Sequence, residues 1–148
     1  MVLIKHKEQK EIYKLLLEFD DCFPHLKEKI EDLEKFAYKL SKNAITIEII
    51  EDNISLGMAA FYANDTSESK VGYLTLIGIK TEFRGMHLGK LLLNTAIDEM
   101  KALGMKCIKL EVDNDNLGAL GFYKHHGFNE NGEKKENSII LEKTFKLL

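Results

Sequence analysis

The sequence contains few of the residues on which several classes of protein depend. Its 148 residues include no tryptophan, one proline and two cysteines. Cys22 and Cys107 stand far apart in apolar surroundings, without the paired spacing of a zinc or redox motif, so we expect reduced thiols and no metal site. The apolar runs are too short for a signal peptide or a membrane span, which favours a cytoplasmic protein.

Neither positive nor negative charge dominates the sequence. Lysine and arginine number 21 against 24 aspartates and glutamates, and both signs are interleaved along the chain. No basic patch for nucleic acid is therefore expected, and the charged run 130–136 is predicted to be a solvated turn. The length suits one globular domain, 1–148, whose core needs no disulfide or metal.

Apolar spacing predicts an α/β domain, in the broader sense that includes α+β, with a mixed sheet. Segment 71–79 is apolar in both alternating registers, which is typical of a central strand covered on both faces. Pro24 precedes the second predicted helix, and a turn at Gly132 precedes the last strand. The predicted helices cover 12–19, 26–40, 88–103 and 116–125, and the predicted strands cover 2–5, 45–50, 56–63, 71–79, 106–112 and 138–145.

The loop at 81–90 joins the central strand to the best-supported helix. A glycine-containing turn of this kind exposes the first amide protons of the helix, which makes an anion site. Arg84 and Lys90 add positive charge there. The spacing of Gly85 and Gly89 fits neither a P-loop nor a dinucleotide fingerprint, so pyrophosphate binding and an ordinary connection both remain open.

A second segment, 111–128, combines polar groups with unusual glycines. Asn116 and Tyr123 are seven residues apart, so they share one face of a helix. Gly118 and Gly121 each weaken that helix by about 1 kcal/mol relative to alanine, for which close packing or a close ligand is the usual compensation. By itself, Tyr123 would also suit a core aromatic residue.

Together the two segments resemble the GCN5-related N-acetyltransferase (GNAT) superfamily, which transfers acetyl groups from acetyl-CoA to amines. The first motif of that family, [Q/R]-x-x-G-x-[G/A], is matched by Arg84 and Gly89, whereas His87 occupies the middle glycine position. The second motif, N-x-x-A-x-x-[L/F]-Y-x-x-x-G-F, is matched by Asn116, Ala119, Phe122, Tyr123, Gly127 and Phe128. The resemblance implies the GNAT fold, a mixed central sheet of about six to seven strands flanked by about four helices.

The resemblance also implies roles for individual residues. Backbone groups of Ile77 and Ile79 would pair with the pantetheine arm of acetyl-CoA, Asn116 would contact that arm, and Tyr123 would protonate the departing thiolate. The pyrophosphate would be held by the loop amides of Arg84, Gly85, Met86, His87, Leu88, Gly89 and Lys90.

A base for the attacking amine is expected as well. Strand alternation turns Glu111 away from one packed face. Its place twelve residues before Tyr123 looks like the base and acid pair of ribosomal-protein alanine acetyltransferases. Glu82, a water relay, or a purely structural role for Glu111 remain alternatives. His125 and His126 are adjacent on a helix, so they point in different directions and do not predict a metal site.

The function expected from this resemblance is direct transfer from acetyl-CoA to a primary amine in a ternary complex. Neither cysteine has a neighbouring histidine motif, which disfavours a covalent acetyl-enzyme. The acceptor, a small molecule or a protein, cannot be identified from the sequence, and a monomer or a homodimer is expected. The alternative, motivated by His87, is a weakly active or inactive acyl-CoA-binding module.

Overall fold

The computed structural model describes residues 1–23, 26 and 30–146. Within these residues the strands are β1 Val2–His6, β2 Ile45–Glu51, β3 Ile54–Tyr62, β4 Val71–Ile79, β5 Cys107–Asp113, β6 Asn129–Lys134 and β7 Ser138–Thr144. The α-helices are α1 Gln9–Glu18, α2 Leu33–Asn43, α3 Leu88–Ala102 and α4 Leu117–His125, and 3-10 turns follow α1 and β4 at Asp20–Cys22 and Thr81–Phe83.

The strands form one mixed sheet with the order β1-β2-β3-β4-β5-β7-β6. Only the pairing of β4 with β5 is parallel among the pairings that the structure describes. One core cluster joins α1 and α2 to one sheet face, and the other joins α3 and Tyr123 of α4 to the opposite face. The predicted fold class and the central position of β4 are therefore confirmed.

Local sequence signals explain where several elements end. The β2–β3 hairpin turns at Asp52 and Asn53, which both have positive φ (51° and 62°) as a two-residue type I′ turn requires. Helix α3 ends just before Gly104, which lies in the left-handed region with φ 87°. Both features follow from the residue types at these positions.

Two local predictions are wrong. Segment 130–136 is not simply a turn, because β6 occupies Asn129–Lys134 and pairs with β7. Its side chains are mostly exposed, so an edge strand of polar residues has no apolar alternation to reveal it. The second predicted helix, 26–40, is not continuous, because residues 30–32 are not helical. Helix α2 begins at Leu33, where Asp32 caps it by accepting a hydrogen bond from the amide of Lys35 at 3.1 Å. Pro24 lies outside the described residues.

A β-bulge in β4 changes which side chains face each helix layer. Ala60 pairs with Leu76 and the next residue of β3, Phe61, pairs with Leu74, so Thr75 is an extra residue on β4. Leu74 consequently packs in the α3 cluster, and Leu76 packs in the cluster formed with α1 and α2. The bulge lies where β4 leaves its parallel neighbour.

Candidate functional site

Strands β4 and β5 separate to form an opening in the middle of the sheet. Their ladder contains the pairs Val71–Cys107, Gly72–Ile108 and Tyr73–Lys109, after which no pairing between the two strands is described. We call the end of this ladder, at Tyr73 and Lys109, the apex. Beyond the apex, the β5-facing edge of β4 carries backbone groups that the sheet does not use.

The alternation of β4 determines which of its backbone groups face β3 and which face the opening. The Lys80 amide donates to the Leu56 carbonyl at 3.1 Å, so the groups of Lys80 face β3. Alternation along the strand then turns the groups of Ile77 and Ile79 toward the opening. The Ile79 carbonyl already accepts from Cys22 Sγ at 3.4 Å and Arg84 Nε at 3.3 Å. The edge therefore offers the Ile79 amide and both backbone groups of Ile77 to an extended ligand.

The loop after β4 presents a run of amide protons. The Arg84 amide still donates to the Thr81 carbonyl at 3.3 Å, and the Leu91 amide makes the first helical bond of α3, to the His87 carbonyl at 3.2 Å. Between them, the amides of Gly85 through Lys90 have no backbone acceptor among the described residues. Six consecutive amides at a helix N-terminus form a strong anion site. The prediction that the amides of Arg84 to Lys90 hold a pyrophosphate is therefore wrong for Arg84, whose amide is already bonded to Thr81, and stays a prediction for the other six.

Left-handed backbone conformations shape this loop. Gly85 has φ 86°, and His87, the residue that precedes α3, has φ 61° and ψ 21°. The glycine position of the family motif thus requires positive φ, which histidine tolerates better than bulky or branched residues. The His87 side chain is exposed. A Cβ added at Gly89 would lie 3.5 Å from the ring of Phe122, so a methyl group would fit there.

A cleft of ≈ 450 Å³ lies between this loop and the C-terminal half of α4. It is lined by Ile79, Phe83, Arg84, Gly85, His87, Leu88, Gly89, Lys90, Phe122, His125 and His126. Burial, followed by the charges of His125, Lys90 and Lys143, lowers the pKa of His126. Basic groups therefore surround the cleft although the whole chain is slightly acidic.

Helix α4 borders the site with its capped N-terminus and with a face on which two glycines leave space. The Asn116 side chain caps the helix by accepting from the Ala119 amide at 3.1 Å. An added Cβ would meet no atom within 4 Å at Gly121 and only Asn116 Oδ1, at 3.9 Å, at Gly118. Close packing inside the described chain therefore does not explain these glycines.

Tyr123 is held by aromatic neighbours in the core on the α3 side of the sheet. Its ring makes edge contacts with Phe122 and Phe128, at centroid distances of 5.2 and 5.4 Å. Only 7% of the residue is exposed. Burial raises the pKa of Tyr123, so the phenol keeps its proton at neutral pH and can act as an acid.

Glu111 faces the other side of the sheet. Ile108, Leu110 and Val112 of β5 pack in the α3 cluster, so alternation directs Glu111 to the opposite face. Its Oε1 accepts a hydrogen bond from Lys135 Nζ at 2.7 Å. Burial, with a smaller effect of the Glu111 charge, raises the pKa of nearby Tyr73. The alternative base, Glu82, lies exposed in the 3-10 turn after β4.

Sequence reasoning missed Tyr73, Lys135 and the aromatic wall formed by Phe122. Lys135 belongs to the charged run that was interpreted as a solvated turn, and nothing in its local sequence connects it to Glu111. His125 and His126 were considered only as metal ligands, and no group of residues suited to a metal ion occurs among those that the structure describes. Their contribution is to the cleft wall.

The surroundings of both cysteines keep their thiols protonated. Burial raises the pKa of the half-buried Cys22 thiol, although Arg84 opposes this effect. Burial and Glu142 raise the pKa of Cys107 to about 11. Both thiols are therefore protonated at neutral pH, which makes them poor nucleophiles.

Comparison with known proteins decides the family. The model of the acetyltransferase (GNAT) family matches residues 10–128, which include both motifs, the opening and the amide loop. The chain belongs to the GNAT family. Among curated relatives, an uncharacterized N-acetyltransferase of Methanocaldococcus jannaschii is 33% identical over 69 residues, covering 47% of this chain and 30% of the relative. N-alpha-acetyltransferase 30 of Schizosaccharomyces pombe is 37% identical over 57 residues, 38% of each chain. The chain thus spans well under half the length of these GNAT relatives.

Solved structures of GNAT proteins share the whole fold. The ribosomal-protein-S18-alanine N-acetyltransferase of Escherichia coli superposes with a TM-score of 0.76 at 17% identity, covering 99% of this chain and 96% of the other. The PaiA N-acetyltransferase of Thermoplasma acidophilum, solved with coenzyme A, gives 0.75 at 20% identity over 98% and 100%. No helix in the described part of this GNAT chain is long and apolar enough to span a membrane.

Proposed function

We propose that this GNAT protein transfers the acetyl group of acetyl-CoA directly to a primary amine in a ternary complex. The observation that carries this proposal is the run of amides from Gly85 to Lys90, which lack backbone acceptors within the described chain and lie at the end of an open strand edge. Such a run suits a pyrophosphate, and the adjoining edge suits an extended, amide-containing arm. The structural neighbour solved with coenzyme A supports the choice of cofactor.

The cofactor contacts follow from this arrangement. The loop amides and Lys90 would hold the phosphates, the backbone of Ile77 and Ile79 would pair with the pantetheine arm, and α4 would cover it. Asn116 would act mainly by fixing the start of α4, since its carbonyl oxygen caps that helix. Bound acetyl-CoA supplies the acetyl thioester, and the protein supplies orientation and proton transfer.

Tyr123 and Glu111 would carry the protons. Tyr123 is protonated at neutral pH, and a phenol within reach of the sulfur can protonate the leaving thiolate. Glu111 would accept a proton from the amine, directly or through a water. Protonated cysteines favour direct transfer over a covalent acetyl-enzyme.

The names of two relatives indicate which acceptor amines to test first. The yeast relative is named for N-alpha-acetylation and the Escherichia coli neighbour for a ribosomal-protein alanine, so a protein N-terminus is the first acceptor to test, with small-molecule amines second. The competing function is an acyl-CoA-binding module without turnover, which His87 in a glycine position motivates. Residues 1–148 are proposed to be one domain, as a monomer or a homodimer.

Calorimetry with acetyl-CoA, followed by thiol release on a panel of amines, tests these alternatives. The panel contains a peptide with a free N-terminal alanine, the same peptide with that terminus blocked, and small alkyl and aryl amines. Saturable binding with amine-dependent release of CoA supports the enzyme. Binding without release on any amine supports the module, and no binding refutes both.

A further inference from the structure

Lys135 connects the loop between β6 and β7 to the middle of the sheet. Its backbone amide donates to the Ser138 carbonyl at 2.9 Å, which fixes the tight connection between the two strands. Its Nζ donates to Glu111 Oε1 at 2.7 Å. A primary ammonium of this chain is therefore held against the carboxylate proposed as the base.

This ion pair lies next to the apex of the β4–β5 opening. Tyr73 and Lys109 form the last pair of the ladder, and Glu111 is two residues further along β5, roughly 7 Å at the usual rise per residue. Tyr73 lies near this ion pair, since, besides burial, the Glu111 charge raises the pKa of Tyr73 and the Lys135 charge lowers it. These three residues span β4, β5 and the β6–β7 connection.

The path expected for the acetyl donor leads to the same place. The phosphates would be held by the loop after β4, and the arm would run along β4 from Ile79 past Ile77 toward the apex. The reactive end of the arm would therefore lie beside Glu111. Lys135 remains accessible, since 68% of its side chain is exposed.

We propose that Lys135 occupies the position of the acceptor ammonium and that the protein acetylates this lysine itself when no other amine is present. This inference rests on the function proposed above. It also implies that an external acceptor binds as an ammonium that displaces Lys135 from Glu111.

The protons and bonds of this step balance. Glu111 takes one proton from the Lys135 ammonium, the neutral nitrogen forms a bond with the acetyl carbon, and the carbon–sulfur bond breaks. The sulfur receives a proton through Tyr123. Of the three ammonium protons, one stays on the amide nitrogen, one reaches the CoA sulfur and one is released to solvent. The products are N-acetyl-lysine and CoA.

Lys109 provides a matched internal control. Its Nζ forms a similar ion pair with Glu133 Oε1 at 2.9 Å, and it lies on the same sheet face. It pairs with a carboxylate of the edge strand β6, however, not with the one beside the proposed thioester position. Only 26% of the Lys109 side chain is exposed against 68% for Lys135, so a reactivity set by exposure alone would favour Lys135 whether or not Glu111 is present.

The test is to incubate the protein with acetyl-CoA in an amine-free buffer and to follow each lysine by peptide mass spectrometry. We expect acetylation of Lys135 at least about tenfold faster than of Lys109, as general-base assistance would allow, at a rate that is independent of protein concentration. Glu111→Gln should lower the rate at Lys135 by about tenfold or more and leave the rate at Lys109 unchanged, which a difference in exposure would not produce. Lys135→Arg, which keeps the positive charge, should reduce total incorporation to background. Equal rates at both lysines, or a rate proportional to protein concentration, would overturn the inference.

A labelling experiment gives a readout without acetyl transfer from the cofactor. S-ethyl-CoA, a thioether that cannot transfer its ethyl group in this way, should protect Lys135 from acetic anhydride and leave Lys109 reactive. Equal labelling of both lysines would contradict the proposal. If acetyl-CoA binds and an added amine is acetylated while Lys135 stays unmodified, only this inference fails. If acetyl-CoA does not bind, the proposed function fails as well.

Discussion

Tyr123 and Glu111 belong to opposite faces of one sheet. Tyr123 packs in the cluster with α3, and Glu111 lies on the face directed away from that cluster. In a continuous sheet the backbone would separate the two side chains. The separation of β4 from β5 after the Tyr73–Lys109 pair removes this barrier, so groups from both faces can approach one ligand in the opening. In the complex proposed here, the acid and the base would lie on different sides of the reacting thioester.

Replacing Tyr123 with phenylalanine tests the acid. The ring contacts with Phe122 and Phe128 remain, so acetyl-CoA should bind as before, while kcat should fall by about 10²-fold or more because the thiolate loses its proton donor. Steady-state kinetics together with calorimetry separates the two effects. Tyr38→Phe, at a half-exposed position of α2, is the control and should leave both unchanged. An unaltered kcat for Tyr123→Phe removes the acid assignment.

Replacing Glu111 with glutamine tests the base. A base must be deprotonated to act, so the wild-type rate should decline at acidic pH, and the variant should be slow by about 10²-fold with that decline absent. The measurement is the pH dependence of kcat/KM for the best amine of the panel. Glu133→Gln breaks the comparable ion pair with Lys109 and should keep the wild-type profile. Glu111 would be only structural if its variant kept the acidic decline.

Sequence alone predicted most elements because their signals are local. Asp52 and Asn53 specify a tight hairpin turn, and Gly104 marks the end of α3. The bulge at Thr75 left no such signal, since the strand is apolar in both registers and either alternation is consistent with its sequence. The contact between Lys135 and Glu111 joins distant segments through an edge strand without apolar alternation. Contacts of this kind depend on register and topology, which composition does not encode.

The left-handed residues of the amide loop can be tested through stability. Gly85→Ala places a side chain at φ 86°, which should cost about 1–2 kcal/mol. His87→Gly relieves similar strain at φ 61° but adds about 0.5–1 kcal/mol of backbone entropy to the cost of folding, so its net effect should be small. Denaturant unfolding measures both. Equal destabilisation by the two substitutions would contradict the conformational explanation.

His87→Gly also tests the module hypothesis. The His87 side chain is exposed at the edge of the cleft, so it need not point into the space for the phosphates. We expect the glycine variant to bind acetyl-CoA and turn over like the wild-type protein. A large gain in affinity or activity in the variant would instead mean that histidine obstructs the site and that the native protein is a weak enzyme.

The lowered pKa of His126 predicts that the protein takes up protons when the cofactor binds. Burial, then the charges of His125, Lys90 and Lys143, lowers the pKa of His126, so the free protein holds this imidazole neutral near pH 7. An anion in the cleft favours the protonated form and raises that pKa again. Binding should therefore take up protons, and affinity should increase as pH falls from 8 toward 6. The same lowered pKa means that the unfolded chain takes up a proton before the folded protein does as the pH falls through about 6.5, so His126 lowers the free energy of unfolding at acidic pH.

Calorimetry in buffers with different ionisation enthalpies measures this uptake directly. Dephospho-CoA is the ligand of choice, because a phosphate monoester titrates near pH 6 and would add its own protons to the balance. His126→Gln should lower the number of protons taken up and flatten the increase in affinity at acidic pH. Arg84→Gln is the matched control: it removes a fixed positive charge from the cleft wall that is not among the groups lowering the pKa of His126, so affinity should fall to a similar extent at both ends of the pH range. Proton uptake that is the same in His126→Gln and in the wild-type protein would exclude His126 as the titrating group.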